Sequence, residues 1–272
     1  MANPILNDKA LKEVTEVGYA SGAWKPPTAP YNTPIPGGTP IHDGQISEWH
    51  SDRMTVGGTA TATGVLLVLL LAAAAFGWNA VNPNESIPIW AFGGVIVGFI
   101  SVLALRWKPQ WAKVLGPVYA LAEGVFVGAI SKYYETYKNG IVPMAVGATL
   151  AVVAVMLLLY KSRIIKVTDR MRRIVMGATV GVMIFYGISM LINLFGGGVS
   201  FLHSTSALSI GFSFLVAGLA AFNLALDFDF IERGAKAGLP KQMEWVGAIG
   251  LLVTIVWLYL EILRLLSKLD RR

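Results

Sequence analysis

The chain of 272 residues has no cysteine. Disulfide frameworks, thiolate metal sites and cysteine nucleophiles are excluded with it. Histidine is scarce: only His42, His50 and His203 occur, and two of them fall in the N-terminal tail. A histidine-built zinc hydrolase site therefore lacks ligands. No Gly-x-Ser-x-Gly elbow is present for a serine nucleophile, and no Gly-x-x-x-x-Gly-Lys-Ser/Thr loop for a phosphate. An intramembrane aspartyl protease has little support, because no Gly-x-Gly-Asp segment occurs. Lys241 and Lys268 flank the last apolar run, so a retinal-type Schiff base has no lysine inside it. No enzyme activity and no cofactor are expected. Charge is also short, at 14% of residues against about 25% in an average soluble domain.

What is present is apolar: 55% of the residues, with a mean hydropathy of +0.60. A soluble globule of this length cannot hide so much apolar surface, so a polytopic membrane protein is expected. Residues 1–56 stand apart as a disordered, proline-rich tail. Seven of the 13 prolines lie there, in stretches such as Lys25-Pro26-Pro27 and Thr33-Pro34-Ile35-Pro36-Gly37-Gly38. The extreme N-terminus shows no apolar signal region, and the first hydrophobic run is long enough to stay as an anchor.

Residues 57–272 form the expected membrane domain. Seven apolar runs follow one another: Gly57–Trp78, Ile87–Leu105, Val114–Ser131, Ile141–Tyr160, Ile174–Leu194, Ala207–Leu226 and Glu244–Leu266. Each is near the ~20 residues with which an α-helix crosses the hydrocarbon core. Membrane β-strands would be about half as long and alternate in polarity. The expected fold is an all-α bundle of seven transmembrane helices. Gly94/Gly98, Gly124/Gly128 and Gly177/Gly181 are small-xxx-small pairs that let helix backbones approach, within the bundle or at a dimer face.

The net charge of +6 is not a nucleic-acid signal. The first 56 residues carry −2, and the positive excess sits in short gaps between apolar runs. With the N-terminus inside, the inner gaps and tail collect sixteen Lys/Arg and the outer side six. That bias predicts a cytoplasmic N-terminus; the plasma (inner) membrane is the expected setting. One discord is the C-terminal group Arg264, Lys268, Arg271 and Arg272, which an odd number of crossings puts outside. Either a short tail is tolerated there or the last run does not fully cross.

The residues that stand out are acids within or bordering the apolar runs: Glu123 in the third, Asp227, Asp229 and Glu232 closing the sixth, and Glu261 deep in the seventh. A charge at the bilayer centre costs roughly 2.5–3.5 kcal/mol on insertion scales, so such groups face the bundle interior or a wet cavity. Facing acids share a proton and titrate together, which makes a cation site sensitive to pH. Each also has a plainer reading. Glu123 can be a hydrogen-bonded packing residue, Asp229 and Glu232 can be solvated at the boundary, and Glu261 can pair with Arg264 one turn later. Arg106, ending the second run, can snorkel to the surface or join a gating ion pair.

The run Asp227-Phe228-Asp229-Phe230-Ile231-Glu232, with Met243-Glu244-Trp245 and Trp257-Leu258-Tyr259-Leu260-Glu261-Ile262-Leu263-Arg264, resembles the Bax-inhibitor (TMBIM) family, in particular the bacterial branch of the actinobacterial type. Glu123-Gly124-Val125-Phe126-Val127-Gly128-Ala129-Ile130-Ser131 resembles the Glu-Gly segment of the family's third helix. The resemblance covers roughly residues 50–270. It implies six helices around a central seventh and a pH-sensitive calcium leak, with two facing acids on helices six and seven as a proton-responsive latch. By local match Asp227 is the sixth-helix acid and Glu261 the seventh, with Arg106 as a basic partner for Asp227. Glu stands at the seventh-helix position where the family pattern has Asp. The stretch from Asp227 to Glu261 is also long, with Glu261 ~25 Å into its helix from Glu244. The two acids meet only if the sixth helix runs well past Asp227 or the following loop re-enters.

The expected function is thus a leak for calcium or other cations, controlled by protons, with the lipid bilayer as surroundings and no nucleic-acid partner. A second reading is a non-conducting protein that binds a membrane protease or another integral protein through its acidic tail. A proton-coupled transporter is a third, though no residue names a substrate.

Overall fold

The computed structural model describes residues 52–81, 89–194 and 204–271. Most of the expected tail, residues 1–51, lies outside the described residues, as do much of the first and fifth gaps. Seven helices follow in order: α1 (Val56–Asn79), α2 (Ile89–Trp107), α3 (Ala112–Tyr137), α4 (Ile141–Lys161), α5 (Asp169–Leu194), α6 (Ala207–Lys236) and α7 (Met243–Asp270). A short 3-10 turn, Pro109–Trp111, joins α2 to α3. Among the described residues there is no strand, and six of the helices are long and apolar enough to cross a membrane; α2, with 19 residues, is the shorter apolar one.

Lipid dictates this choice of structure. Backbone groups in hydrocarbon find no water, so every N–H and C=O must be paired within its own segment. The outward faces agree. Phe99, Leu158, Leu208 and Phe214 are each more than 60% exposed, an apolar exterior that water would not tolerate.

Three helices outrun their apolar stretches. α3 continues to Tyr137, α5 begins at Asp169, and α6 continues ten residues past Leu226 to Lys236. These extra turns are polar. Gly238, at φ 65°, takes the left-handed position that closes α6, and Pro240 follows before α7.

α7 occupies the interior. α1, α3, α4 and α6 pack directly on it, α2 covers the outer side of α3, and α5 packs on α6. Ala248, Leu252, Leu258 and Leu263 of α7 are almost wholly buried, in one core with Leu66 of α1 and Leu224 of α6. α3 meets α1 and α2 through glycines. A Cβ on Gly124 would stand 2.8 Å from that of Ala73, and one on Gly128 or Gly94 would enter the carbonyl of Ala74 or Ala122. Two of the three small-xxx-small pairs are therefore contacts within the bundle. The third, Gly177/Gly181 on α5, has nothing within 4 Å.

The two ends of α7 are pinned at opposite ends of the bundle. At its start Glu244 accepts from the Thr55 backbone N–H (2.9 Å) and hydroxyl (2.8 Å), tying α7 to the N-cap of α1. Asp52 and Met54, at the end of the expected tail, pair with the α6–α7 turn through Lys241 and Leu239. At the far end Asp270 forms an ion pair with Lys138, and Arg271 stacks on Tyr137. The last helix thus spans the whole bundle.

Candidate functional site

Along the seam of α5, α6 and α7 a line of polar side chains runs from one end of the bundle to the other. Its first station is a network of ion pairs at the C-terminal end of α6. Asp229 pairs with Arg172 of α5 (2.9 Å) and with Arg233. Glu232 pairs with Arg163 and Lys236 (2.5 Å each) and accepts from the Tyr160 hydroxyl of α4. The Glu232 carboxylate beside it holds the Arg163 guanidinium above its ordinary range. Asp229 and Glu232 are therefore neither bare nor simply solvated; each ties α6 to a neighbouring helix.

Asp227 is the next station and differs from the rest. It faces α7 at Gly250 and lies beside Thr254, whose hydroxyl donates to the Gly250 carbonyl (3.2 Å). Its Oδ2 is buried and has no hydrogen-bond partner, alone in this among the described side chains. One turn earlier on α6, Asn223 donates to Thr179 of α5 (2.9 Å).

Glu261 follows on α7, 1% exposed. Its Oε1 accepts from the Tyr186 hydroxyl of α5 (2.9 Å) and from the Trp257 indole (3.3 Å). Arg264 reaches both carboxylate oxygens, at 3.0 and 3.1 Å, bonds the Tyr186 hydroxyl (2.8 Å) and lies over the Tyr186 ring at 5.0 Å. The pairing of Glu261 with the arginine one turn on is what the structure adopts.

Lys268 ends the line. It is 4% exposed, and its ammonium donates to the Ser209 carbonyl (3.3 Å), the Ser209 hydroxyl (2.8 Å) and the Ser213 hydroxyl (2.7 Å). The sequence reading set Lys268 outside the last helix. It lies within α7 instead, which removes position as a ground against a lysine-linked group. Arg264 and Lys268 point into the bundle, and Lys138 is neutralised by Asp270.

Two expected juxtapositions do not form. Asp227 and Glu261 do not face each other, for a reason of register. α6 and α7 run antiparallel from their common turn, so heights are counted from it. Asp227 stands nine residues before the end of α6 and meets α7 at Gly250–Thr254. Glu261, seven residues beyond Thr254, is two turns or ~10 Å farther along. The sixth helix does run well past Asp227, but not far enough to bring the acids together. Arg106 is likewise not beside Asp227. It is exposed at the end of α2, a helix that packs on α3, and has no ion-pair partner among the described residues. Glu123 sits on the other side of α3, with its Oε2 against Gly98 of α2. No cluster of His, Cys, Asp and Glu suited to a metal occurs among the described residues.

Arg172, Thr179, Tyr186, Thr254 and Lys268 belong to the line and escaped the sequence reading. The signal that would find them is spacing. Arg172, Thr179 and Tyr186 recur every seven residues on α5, as do Thr254, Glu261 and Lys268 on α7. Seven residues is close to two turns, so each set shares one face.

Membrane-length helices, an apolar exterior and polar groups threaded along a buried central helix define a multi-pass membrane protein with a polar interior. A family model described as Bax inhibitor 1 like matches residues 3–271, and the chain belongs to that family. The match begins well before residue 50, so the proline-rich segment that the motif resemblance omitted falls within it. Comparison with curated proteins and with solved structures gave no match.

Proposed function

We propose that this protein is a pH-sensitive leak for cations, calcium among them, in the plasma (inner) membrane, with its N-terminus cytoplasmic. The route is the polar line along α5, α6 and α7, and Asp227 is its proton-responsive group. The observation that carries this reading is the unpartnered Oδ2 of Asp227, buried between two stations whose charges are all paired. A carboxylate oxygen without a donor in a dry interior is a place for a proton or a cation.

The mechanism follows from that vacancy of partners. Protonated, Asp227 is neutral, rests against Gly250 and Thr254, and lets α6 and α7 stay packed. Deprotonated, it is an uncompensated anion between two helices. The helices must then part or admit a cation, and either change favours conduction. Glu261 stands apart from Asp227; Arg264 and Tyr186 hold it as the fixed part of the route. Lys268 keeps a positive charge at the far mouth, which restrains flow in the closed state. Low pH thus closes and higher pH opens.

Proteoliposomes loaded with a calcium dye test this directly. Wild-type flux should rise with pH, and Asp227→Asn, neutral at every pH, should stay low and flat. An unaltered pH dependence in Asp227→Asn removes the assignment.

A further inference from the structure

Beside the polar line, and not part of it, a cavity of about 440 Å³ opens between α1 and α4. These two helices scarcely touch, and α7 forms the floor between them. The cavity runs along α1 from Leu67 to Asn79, ~18 Å of helix, and along α4 from Val142 to Leu150. Its walls are nearly all carbon. Most polar groups on it already have partners: Thr149 donates to Ala145 (2.7 Å), Asn79 to Ala75 (2.8 Å), and the Ser131 and Tyr259 hydroxyls bond each other (2.6 Å). An occupant needs no hydrogen bonds along its length. At the rim the chemistry changes. Lys132 of α3 lies 5.0 Å over the ring of Trp78, which itself lines the cavity, and no carboxylate pairs with Lys132 among the described residues.

We infer that this cleft is a binding site for one acyl chain of an anionic phospholipid, whose phosphate is held by Lys132 at the membrane surface opposite the N-terminus. A long, dry slot flanked by unpacked helices fits a hydrocarbon chain, and its volume is within the range of ligand sites. Trp78 suits the headgroup boundary, where an aromatic ring supports a cation on one side and methylene groups on the other. The single ammonium at the mouth sets the preferred headgroup charge. The site is independent of the leak, because its residues contribute nothing to the polar line.

The test uses the full chain in phosphatidylcholine vesicles with a minor fraction of phospholipid brominated on its acyl chains. Bromine quenches nearby indoles, and the difference between wild type and Trp78→Phe isolates the Trp78 signal. Brominated phosphatidylglycerol should quench Trp78 at a roughly fivefold lower fraction than brominated phosphatidylcholine, the effect of about one basic side chain at a charged surface. Lys132→Gln should abolish that preference. Val146→Phe, which fills the slot from a half-exposed position, should reduce quenching by both lipids. Equal quenching by the two lipids in wild type, or a preference that survives Lys132→Gln, overturns the proposal. So does protection of Trp78 from both lipids, which marks the cleft as covered by a second copy of the chain.

Discussion

Glu261 and Arg264 form an ion pair inside the bundle, one turn apart on the central helix, with the Tyr186 hydroxyl bonded to both. A charge pair so placed is costly to build and more costly to break. Arg264→Leu leaves the Glu261 carboxylate buried with only neutral donors. It should destabilise the protein by about 3–5 kcal/mol. Pairing it with Glu261→Gln should recover much of the loss, because no bare charge remains. Thermal unfolding of the single and double variants in detergent measures both. If the double variant is no better than the single, the pair is not the unit it looks like.

Lys268 makes a different prediction. Its ammonium is the last charge on the polar line, held by Ser209 and Ser213. Lys268→Met keeps the bulk and removes the positive charge. Basal cation flux in proteoliposomes should rise severalfold at a fixed pH, because a fixed cation in a pore raises the barrier for others. A folded Lys268→Met protein with unchanged flux would mean that ions do not pass this way.

The glycines of the bundle separate into two kinds by what surrounds them. Gly128→Leu drives a side chain into the backbone of α1 at Ala74 and should cost about 1–3 kcal/mol, with more when the helices must part. Gly177→Leu meets nothing within 4 Å and should leave detergent stability unchanged or slightly higher. Denaturation of the two variants side by side checks the contrast. A large loss in Gly177→Leu would show instead that the α5 face is covered in the assembled protein.

Deletion of residues 1–50 distinguishes the leak from a tail-mediated partnership. The polar line and its partners lie between Tyr160 and Lys268, so calcium flux should survive the deletion. A protein whose work is to hold a membrane protease or another integral protein by its tail should lose that association. Loss of flux on deletion would place part of the pathway in the tail.

The helices were legible in the sequence because hydrocarbon thickness imposes a run length, and seven runs of that length are hard to miss. Their ends were less so. The Asp229–Arg172 and Glu232–Arg163 pairs carry α6 beyond its apolar stretch, and no count of apolar residues registers a partner elsewhere in the chain. Asp227 and Glu261 were visible as acids out of place, yet their separation follows from the antiparallel register of α6 and α7, counted from the turn at Gly238–Pro240. Lys268 was hidden for a further reason. A lysine near the end of an apolar run reads as a boundary charge, and only its seven-residue spacing from Glu261 and Thr254 marks it as interior.

The helix at the centre of this bundle is made after the six that surround it. Segments α1 to α6 therefore enter the bilayer around a place not yet filled, and the buried surfaces of Leu66 and Leu224 wait for α7. Until α7 follows them, the nascent protein has an outer ring without a middle. A chain cut before α7 lacks its interior rather than its edge, and should be recognised by membrane proteolysis as incomplete.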